Sequence, residues 1–406
     1  MVVTLDDLPK PLPSPTPPGA KQGLLTIVLC GLLGSCLAVL FWPGDMPRWS
    51  LWYVCCVVVL PVMGGLLAFA LRRLVYERQR DYAQRWNQQR LDHERGLIEQ
   101  GQRAAGVLAT SYCTPAASQH LARALRSGSV PLQPVYLSAK QGALRFSQLA
   151  PAAQHYTACE YRQRLACFLP QVLSALHQDI ADATRHGRLC VRMKHNSVLS
   201  DDELLAAWRT CVVHDALLEE VHFVAQEDGL LWLDEWLDTP DPADVVLSLE
   251  LNLFLHPVEK QAESVSAVLL AHPQFCRKHA LQPQSWVHRP AVILDATTSL
   301  PDAMRWGRVA EGHEKYFIWQ LQLSPDQRCR LSLEMSRTGR SIDREQCMQL
   351  DDVFGRPAGA VGNIGVIVAS EQAVADAQAQ LVVMQDKTVH GFVVRPGEQQ
   401  QGRAGA

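Results

Sequence analysis

The stretch that decides the fold is Leu350-Asp-Asp-Val-Phe-Gly-Arg-Pro-Ala-Gly-Ala-Val-Gly-Asn-Ile-Gly-Val-Ile-Val-Ala-Ser-Glu371. Gly355, Gly359, Gly362 and Gly365 recur at short intervals, and Ala358, Ala360 and Ala369 are small. Such residues let a backbone approach its neighbours closely. From about Gly359 the pattern predicts a helix packed tightly into a core. Val389 to Val394 predicts a closing strand before Arg395-Pro396.

Upstream the pattern alternates. Arg188 to Met193 reads as a strand. Ser200-Asp-Asp-Glu203 is a capping box opening a helix to about Cys211. Val221 to Ala225 reads as a strand, Leu231 to Trp236 as a short helix and Ala243 to Asn252 as a buried strand. Gln261 to Ala271 predicts an apolar helix, and Ser285 to Leu294 another strand. Tyr316 to Trp319 reads as a buried strand, and Trp232, Trp236, Trp306 and Phe317 as core. Alternation of this kind predicts an α/β domain with helices covering sheet layers. No repeat of short solenoid period is present.

Gly355-Arg-Pro-Ala-Gly-Ala-Val-Gly362 resembles the C-terminal signature of thiolase-fold ketoacyl synthases. In that family a glycine-histidine element precedes a small-residue helix, and a final strand closes the sheet. The resemblance spans about 45 residues and implies a reduced thiolase-like layered domain. Gly355, Arg356, Gly359, Ala360, Gly362 and Gly365 are its signature residues in this chain. The family's catalytic histidine falls at Arg356, and a guanidinium cannot act as a neutral imidazole. The family's nucleophilic cysteine, at a strand-to-helix elbow amid small residues, has no counterpart: Cys159, Cys190 and Cys211 have other neighbours. Ala262 to Pro273 and Trp286 to Pro290 are similar to degenerate thiolase-like proteins, some membrane-tethered, encoded beside type VI secretion spikes and effectors. The resemblance implies a non-catalytic adaptor. It would bind a secretion effector, a spike component or a related thiolase-like subunit, as a homo- or heterodimer. The alternative it implies is a membrane-associated acyltransferase or ketoacyl-synthase-like enzyme of lipid metabolism.

The N-terminus is of another kind. Gly23 to Trp42 and Leu51 to Leu71 are uncharged runs of 20 and 21 residues, and about 20 apolar residues cross a bilayer. The first lacks the cleavage site of a signal peptide, and the second follows at once. Trp42, Trp49, Trp52 and Tyr53 cluster at the short loop Pro43 to Ser50. Lys10, Lys21, Arg72, Arg73, Arg78 and Arg80 lie at the opposite ends. By the positive-inside rule this predicts two spans of a bacterial inner membrane, with the soluble domain cytoplasmic. The expected organisation is a disordered Pro-rich tail (1–22), a transmembrane hairpin (23–71), a helical stalk (72–110), the α/β domain (111–396) and a disordered tail (397–406).

A net charge of −3 offers nothing to attract nucleic acid. Of twelve cysteines, Cys30, Cys36, Cys55 and Cys56 lie in the apolar runs and the other eight are scattered without a CxxC pair, as in a reducing compartment. Neither GxGxxG, GxxxxGK[ST] nor GxSxG occurs. His272, Cys276 and His279 would share a helix face as metal ligands, but Pro273 argues against a regular helix there. His313 with Glu311 and Glu314 is a looser group, and His288, Asp295 and Ser299 are close in sequence, as chance also brings about in a chain of this length. No catalytic residue, metal or cofactor is expected.

Overall fold

The computed structural model describes residues 8–44, 47–48, 50–138, 142–153, 155–211, 218–224, 227–293, 299–309, 315–340 and 342–397. The expected C-terminal tail lies almost wholly outside them, as do Trp49, Asp295 and the group Glu311, His313 and Glu314. The chain forms two compact units, Thr4–Leu97 and Ile98–Ala406.

In the smaller unit, α1 (Ala20–Leu40) turns back on a continuous helix made of α2 (Leu51–Val54), a π-helical turn (Cys55–Val59) and α3 (Leu60–Gly101). The runs Lys21–Leu40 and Leu51–Gly101 are long and apolar enough to cross a membrane. Leu24, Leu25, Leu32, Leu66 and Leu67 stand exposed on them, a surface suited to lipid rather than water. The helices meet through small residues. A Cβ on Gly65 would lie 3.0 Å from the Ile27 backbone, the close approach that packs helices in bilayers. Pro61 has no N–H for the carbonyl of Val57, four residues back. The Ser35 hydroxyl donates to that carbonyl instead, at 2.6 Å. Ser35→Ala is expected to cost about 1 kcal/mol and to speed amide exchange around residues 55–65. Unchanged exchange there would remove this role for Ser35.

The Pro-rich segment is engaged where the sequence predicts a solvated tail. The Leu12 N–H donates to Asn87 Oδ1 (2.9 Å), and Asn87 Nδ2 donates to the Leu12 carbonyl (3.0 Å). Arg90 Nε donates to the Pro9 carbonyl (2.8 Å). An extended proline-rich backbone makes no hydrogen bonds of its own, so α3 side chains take them up.

The larger unit begins with β1 (Ala104–Cys113), which starts inside the segment expected as stalk. Then come α4 (Leu121–Arg126), the hairpin β2 (Gln133–Ser138) and β3 (Gly142–Phe146), and α5 (Ala158–Thr184). β4 (Leu189–His195), α6 (Asp201–Cys211), β5 (Leu218–Phe223), α7 (Trp232–Asp238), β6 (Val245–Asn252) and β7 (Ser264–Ala271) complete a first half. After α8 (Pro273–His279) follow β8 (Ser285–His288), β9 (Ala291–Val292), α9 (Ser299–Trp306), β10 (Tyr316–Leu321), α10 (Pro325–Arg337), β11 (Cys347–Gln349), α11 (Leu350–Val353), α12 (Val361–Asp376), β12 (Ala379–Gln385) and β13 (Val389–Pro396). The capping box before α6 forms as read: Ser200 Oγ accepts the Glu203 N–H, and Glu203 accepts the Ser200 N–H.

One sheet runs β11-β10-β12-β13-β8-β1-β7-β6-β4-β5, with β9 beside β13. It contains a repeat of topology. In each half, counted along the chain and apart from β9 and the β2–β3 hairpin, the strand order from the outer edge is third, second, fourth, fifth, first. The outer pairs are parallel and the inner ones antiparallel in both halves. The two first strands, β1 and β8, pair antiparallel and join the halves.

Within residues 261–271, expected as a helix, Ser264–Ala271 form β7. Short apolar runs satisfy both periods. Here pairing decides, because β7 lies between β1 and β6 with every residue buried, as a strand covered on both faces requires. The Gly-rich stretch does form the helix expected, α12, in which Val361 to Ser370 are all buried. It is apolar enough to span a membrane, but as a core helix it meets protein instead. A Cβ on Gly365 would come within 2.6 Å of Met384 Cε.

Candidate functional site

In α/β folds ligands bind beyond the carboxyl ends of the strands, where the strand order reverses. Here that place lies between β4 and β6 in one half and between β10 and β12 in the other, and the two meet. Lys194, near the end of β4, is ion-paired with Asp386, just after β12. The Gly229 N–H, from the loop before α7, donates to the same Asp386 oxygen at 2.9 Å.

A network spreads from this pair. Glu250 is fully buried on β6. It accepts the Asn363 N–H from the first turn of α12 at 2.7 Å and lies 3.5 Å from Arg192 Nη1. The positive end of a helix favours a carboxylate there. Burial nevertheless holds the Glu250 carboxyl above its usual range, against the pull of Arg192 and Lys194. Gly362 is what admits it, since a Cβ at that position would sit 2.8 Å from Glu250 Oε1. Arg192 Nε donates to Glu227 at 2.6 Å, and its guanidinium lies 4.7 Å from the Trp232 ring centre. Asp228 accepts the amides of Lys387 and Thr388, each at 2.9 Å, and the Thr388 hydroxyl at 2.6 Å. Burial raises the Asp228 pKa, but these hydrogen bonds outweigh it and hold the carboxyl below its usual range.

His390 is the buried histidine of this network. Its Nε2 receives the Leu230 N–H (3.3 Å) and its Nδ1 faces the Thr388 carbonyl (3.2 Å). Both ring nitrogens are therefore engaged in the neutral form, and burial keeps its pKa low.

The signature residues lie along one edge of this place. Gly355 has φ +98°, and a Cβ there would lie 3.1 Å from the Gln261 backbone; only glycine meets both demands without strain. The Arg356 N–H donates to the Lys260 carbonyl at 2.7 Å, and its carbonyl accepts the Ala262 N–H at 2.9 Å. Its half-exposed guanidinium lies 3.4 Å from Asp351. Ala360 is buried. At Gly359 an added Cβ would find only ordinary contact with Lys194, 3.8 Å away, so close approach does not explain this glycine. A cavity of about 380 Å³ opens beside Ala358 and Gly359, walled by Leu253, Phe254 and Val258.

By topology α7 in the first half corresponds to the segment from α11 to α12 in the second. The elbow before α7 reads Glu227-Asp228-Gly229-Leu230. The described cysteines whose pKa is displaced all move away from reactivity. Burial pushes the Cys276 and Cys347 thiols up to about 11 and raises those of Cys113 and Cys211, whereas reactive cysteines have lowered values.

The conjectured metal group is not assembled. Pro273 is accommodated at the start of α8, where it has no helical hydrogen bond to lose. His272 caps that helix, with its ring accepting the Gln274 N–H at 3.4 Å. Among the described residues no three His, Cys, Asp or Glu side chains are placed to hold a metal. Sequence reasoning missed Arg192, Lys194, Glu250, Asp386 and His390. The only signal was charged residues within strands otherwise apolar.

Solved structures share this fold. A type II polyketide-synthase ketosynthase, in complex with its acyl-carrier protein, matches with a TM-score of 0.50 and 10% identity, over 72% of this chain and 99% of that one. The fold is that of the ketosynthases. Two bacillaene-synthase ketosynthases of Bacillus amyloliquefaciens agree: ketosynthase twelve (TM-score 0.50, 12% identity, 73% of this chain and 74% of that chain) and the module 1 enzyme (0.51, 13%, 74% and 77%). No family model and no curated protein matches the sequence. At such identities the likeness concerns the thiolase-like fold alone.

Proposed function

We propose that this chain is a non-catalytic, membrane-anchored ketosynthase-fold protein that holds another protein at the membrane. The observation that carries the reading is the Lys194–Asp386 network. The crevice where this class of fold would receive substrate is occupied by the chain's own paired charges, its buried histidine has both nitrogens engaged, and its elbow carries acids. Arg356, at the position of the family's histidine, supports the same reading. With catalysis set aside, the anchor and folded domain fit an adaptor, and the charges flanking the spans support a cytoplasmic side for its domain in a bacterial cell. A type VI secretion effector, a spike component or a sister thiolase-like subunit is the partner the sequence resemblance suggests.

The second reading is a membrane-associated acyltransferase, favoured by the cavity beside Gly359. Intact-mass measurement of the full chain with acyl-CoA and acyl-carrier donors separates the two. No acyl adduct is expected on any cysteine, and a stoichiometric thioester would overturn the adaptor reading. Affinity capture from native membranes should then recover a stoichiometric partner. A chain that stays a lone monomer would count against the adaptor.

A further inference from the structure

A cavity of about 790 Å³ lies away from the crevice, between α9, the turn after it and the end of α10. Four arginines line it: Arg305, Arg308, Arg337 and Arg340. Among the described residues of the lining there is no carboxylate. The rest of the wall is mainly aliphatic, including Leu300, Pro301 and Met304, with no aromatic ring among the described residues of the lining. This volume is that of a small-molecule site.

The basic wall is held from several sides. The carbonyls of Gly307 and Arg308 accept Arg395 Nη1 at 3.3 and 2.8 Å. The Arg305 carbonyl accepts Gln102 Nε2 at 3.2 Å. Arg340 lies 5.5 Å from the Tyr316 ring centre. Arg337 is exposed and touches the partly buried Glu334 only at 3.5 Å, one helical turn away, a contact weak enough on the arginine side to yield to a ligand. The arginines reach into the interior as well: buried His288 is held down to about 3, first by burial and then by Arg308 and Arg395.

We propose that this cavity binds an aliphatic phosphate ester, its phosphate held by Arg305, Arg308 and Arg337 and its alkyl chain against Leu300, Pro301 and Met304. A tetrahedral phosphate presents oxygens to guanidinium groups arriving from separate elements, and the planar fork of arginine suits it. A flat carboxylate serves fewer of them. The aliphatic wall offers an alkyl chain a dry surface and gives a nucleotide base no ring to stack on. The chemistry is shared by soluble alkyl phosphates and by lipids with a phosphomonoester head.

The test is calorimetric titration of the full chain in an uncharged maltoside. The ligands are hexyl phosphate, dihexanoyl phosphatidate, inorganic phosphate and hexanol, with the two esters below their micelle concentrations. One of the esters is expected to bind at least roughly tenfold more tightly than inorganic phosphate, and hexanol not to bind. Tighter binding of phosphatidate assigns a lipid source, and tighter binding of hexyl phosphate a single-chain soluble one; both support the site. Arg305→Gln with Arg337→Gln, both exposed in the free protein, should weaken binding roughly tenfold or more at an unchanged melting temperature. Equal affinity for inorganic phosphate, binding indifferent to the double substitution, or no binding would each overturn the proposal. If the double variant misfolds, loss of ester affinity at high salt in the unaltered chain replaces it, and salt-independent affinity overturns the proposal.

Discussion

Glu263→Gln is expected to destabilise the large unit by about 3–5 kcal/mol. Glu263 is fully buried just before β7 and receives both terminal nitrogens of Arg164 from α5, at 2.7 and 2.6 Å. It also accepts the amides of Leu149 (2.8 Å) and Phe254 (2.6 Å). One carboxylate therefore ties a helix, a strand and two loops together. Glutamine would turn an NH₂ group toward donors and leave Arg164 as an unpaired buried charge. Arg164→Met should cost less, because the carboxylate keeps both amides and can take up a proton. Denaturant unfolding followed by tryptophan fluorescence reads both variants. The reverse order, or a loss below 1 kcal/mol, would mean that the pair behaves as a surface contact.

The second large effect concerns pH. His288 is buried on β8, and burial, reinforced by Arg308 and Arg395, brings its pKa down to about 3 from an ordinary 6.5. The unfolded chain binds a proton below about pH 6.5 while the native one does not. The contribution of this group is therefore complete above that pH and is lost as pH falls toward 3. Between pH 7 and 4 the loss amounts to about 3 kcal/mol. Buried acids such as Glu250 and Glu371, whose pKa values are raised, act with the opposite sign, so the difference between wild type and His288→Gln isolates the histidine. The variant should lose less stability on acidification; parallel curves would show that His288 titrates normally.

Much of the architecture was legible beforehand for reasons of chain length and period. A run of 20 uncharged residues has few alternatives to a membrane-length helix. Gly355 to Gly365 read as a close-packed helix because their missing side chains leave space that something must fill. Glu250 and Met384 fill it at Gly362 and Gly365. The same reasoning failed at residues 261–271, where eight buried residues carry no periodicity. It also passed over β12, whose buried run lies between α12 and the closing strand.

The candidate site was less legible. Lys194 and Asp386 stand 192 residues apart, and nothing local marks them as partners. Arg192, Lys194 and Glu250 on strands look like solvated positions until the strands are placed. Only when the two halves pack around α12 do they become a buried, mutually neutralising group, because burial makes an unpaired charge costly.

By itself the sequence determined the two apolar N-terminal helices, the α/β character of the rest and the tight helix near the C-terminus. Each depends on interactions within about 20 residues, through hydropathy, periodicity or small side chains. The tertiary structure alone decided the repeated strand order, the β-state of residues 264–271, the pairing of Lys194 with Asp386 and the arginine-lined cavity. All of these arise from contacts between residues distant in the chain, whose energies depend on burial and pairing that no local pattern records.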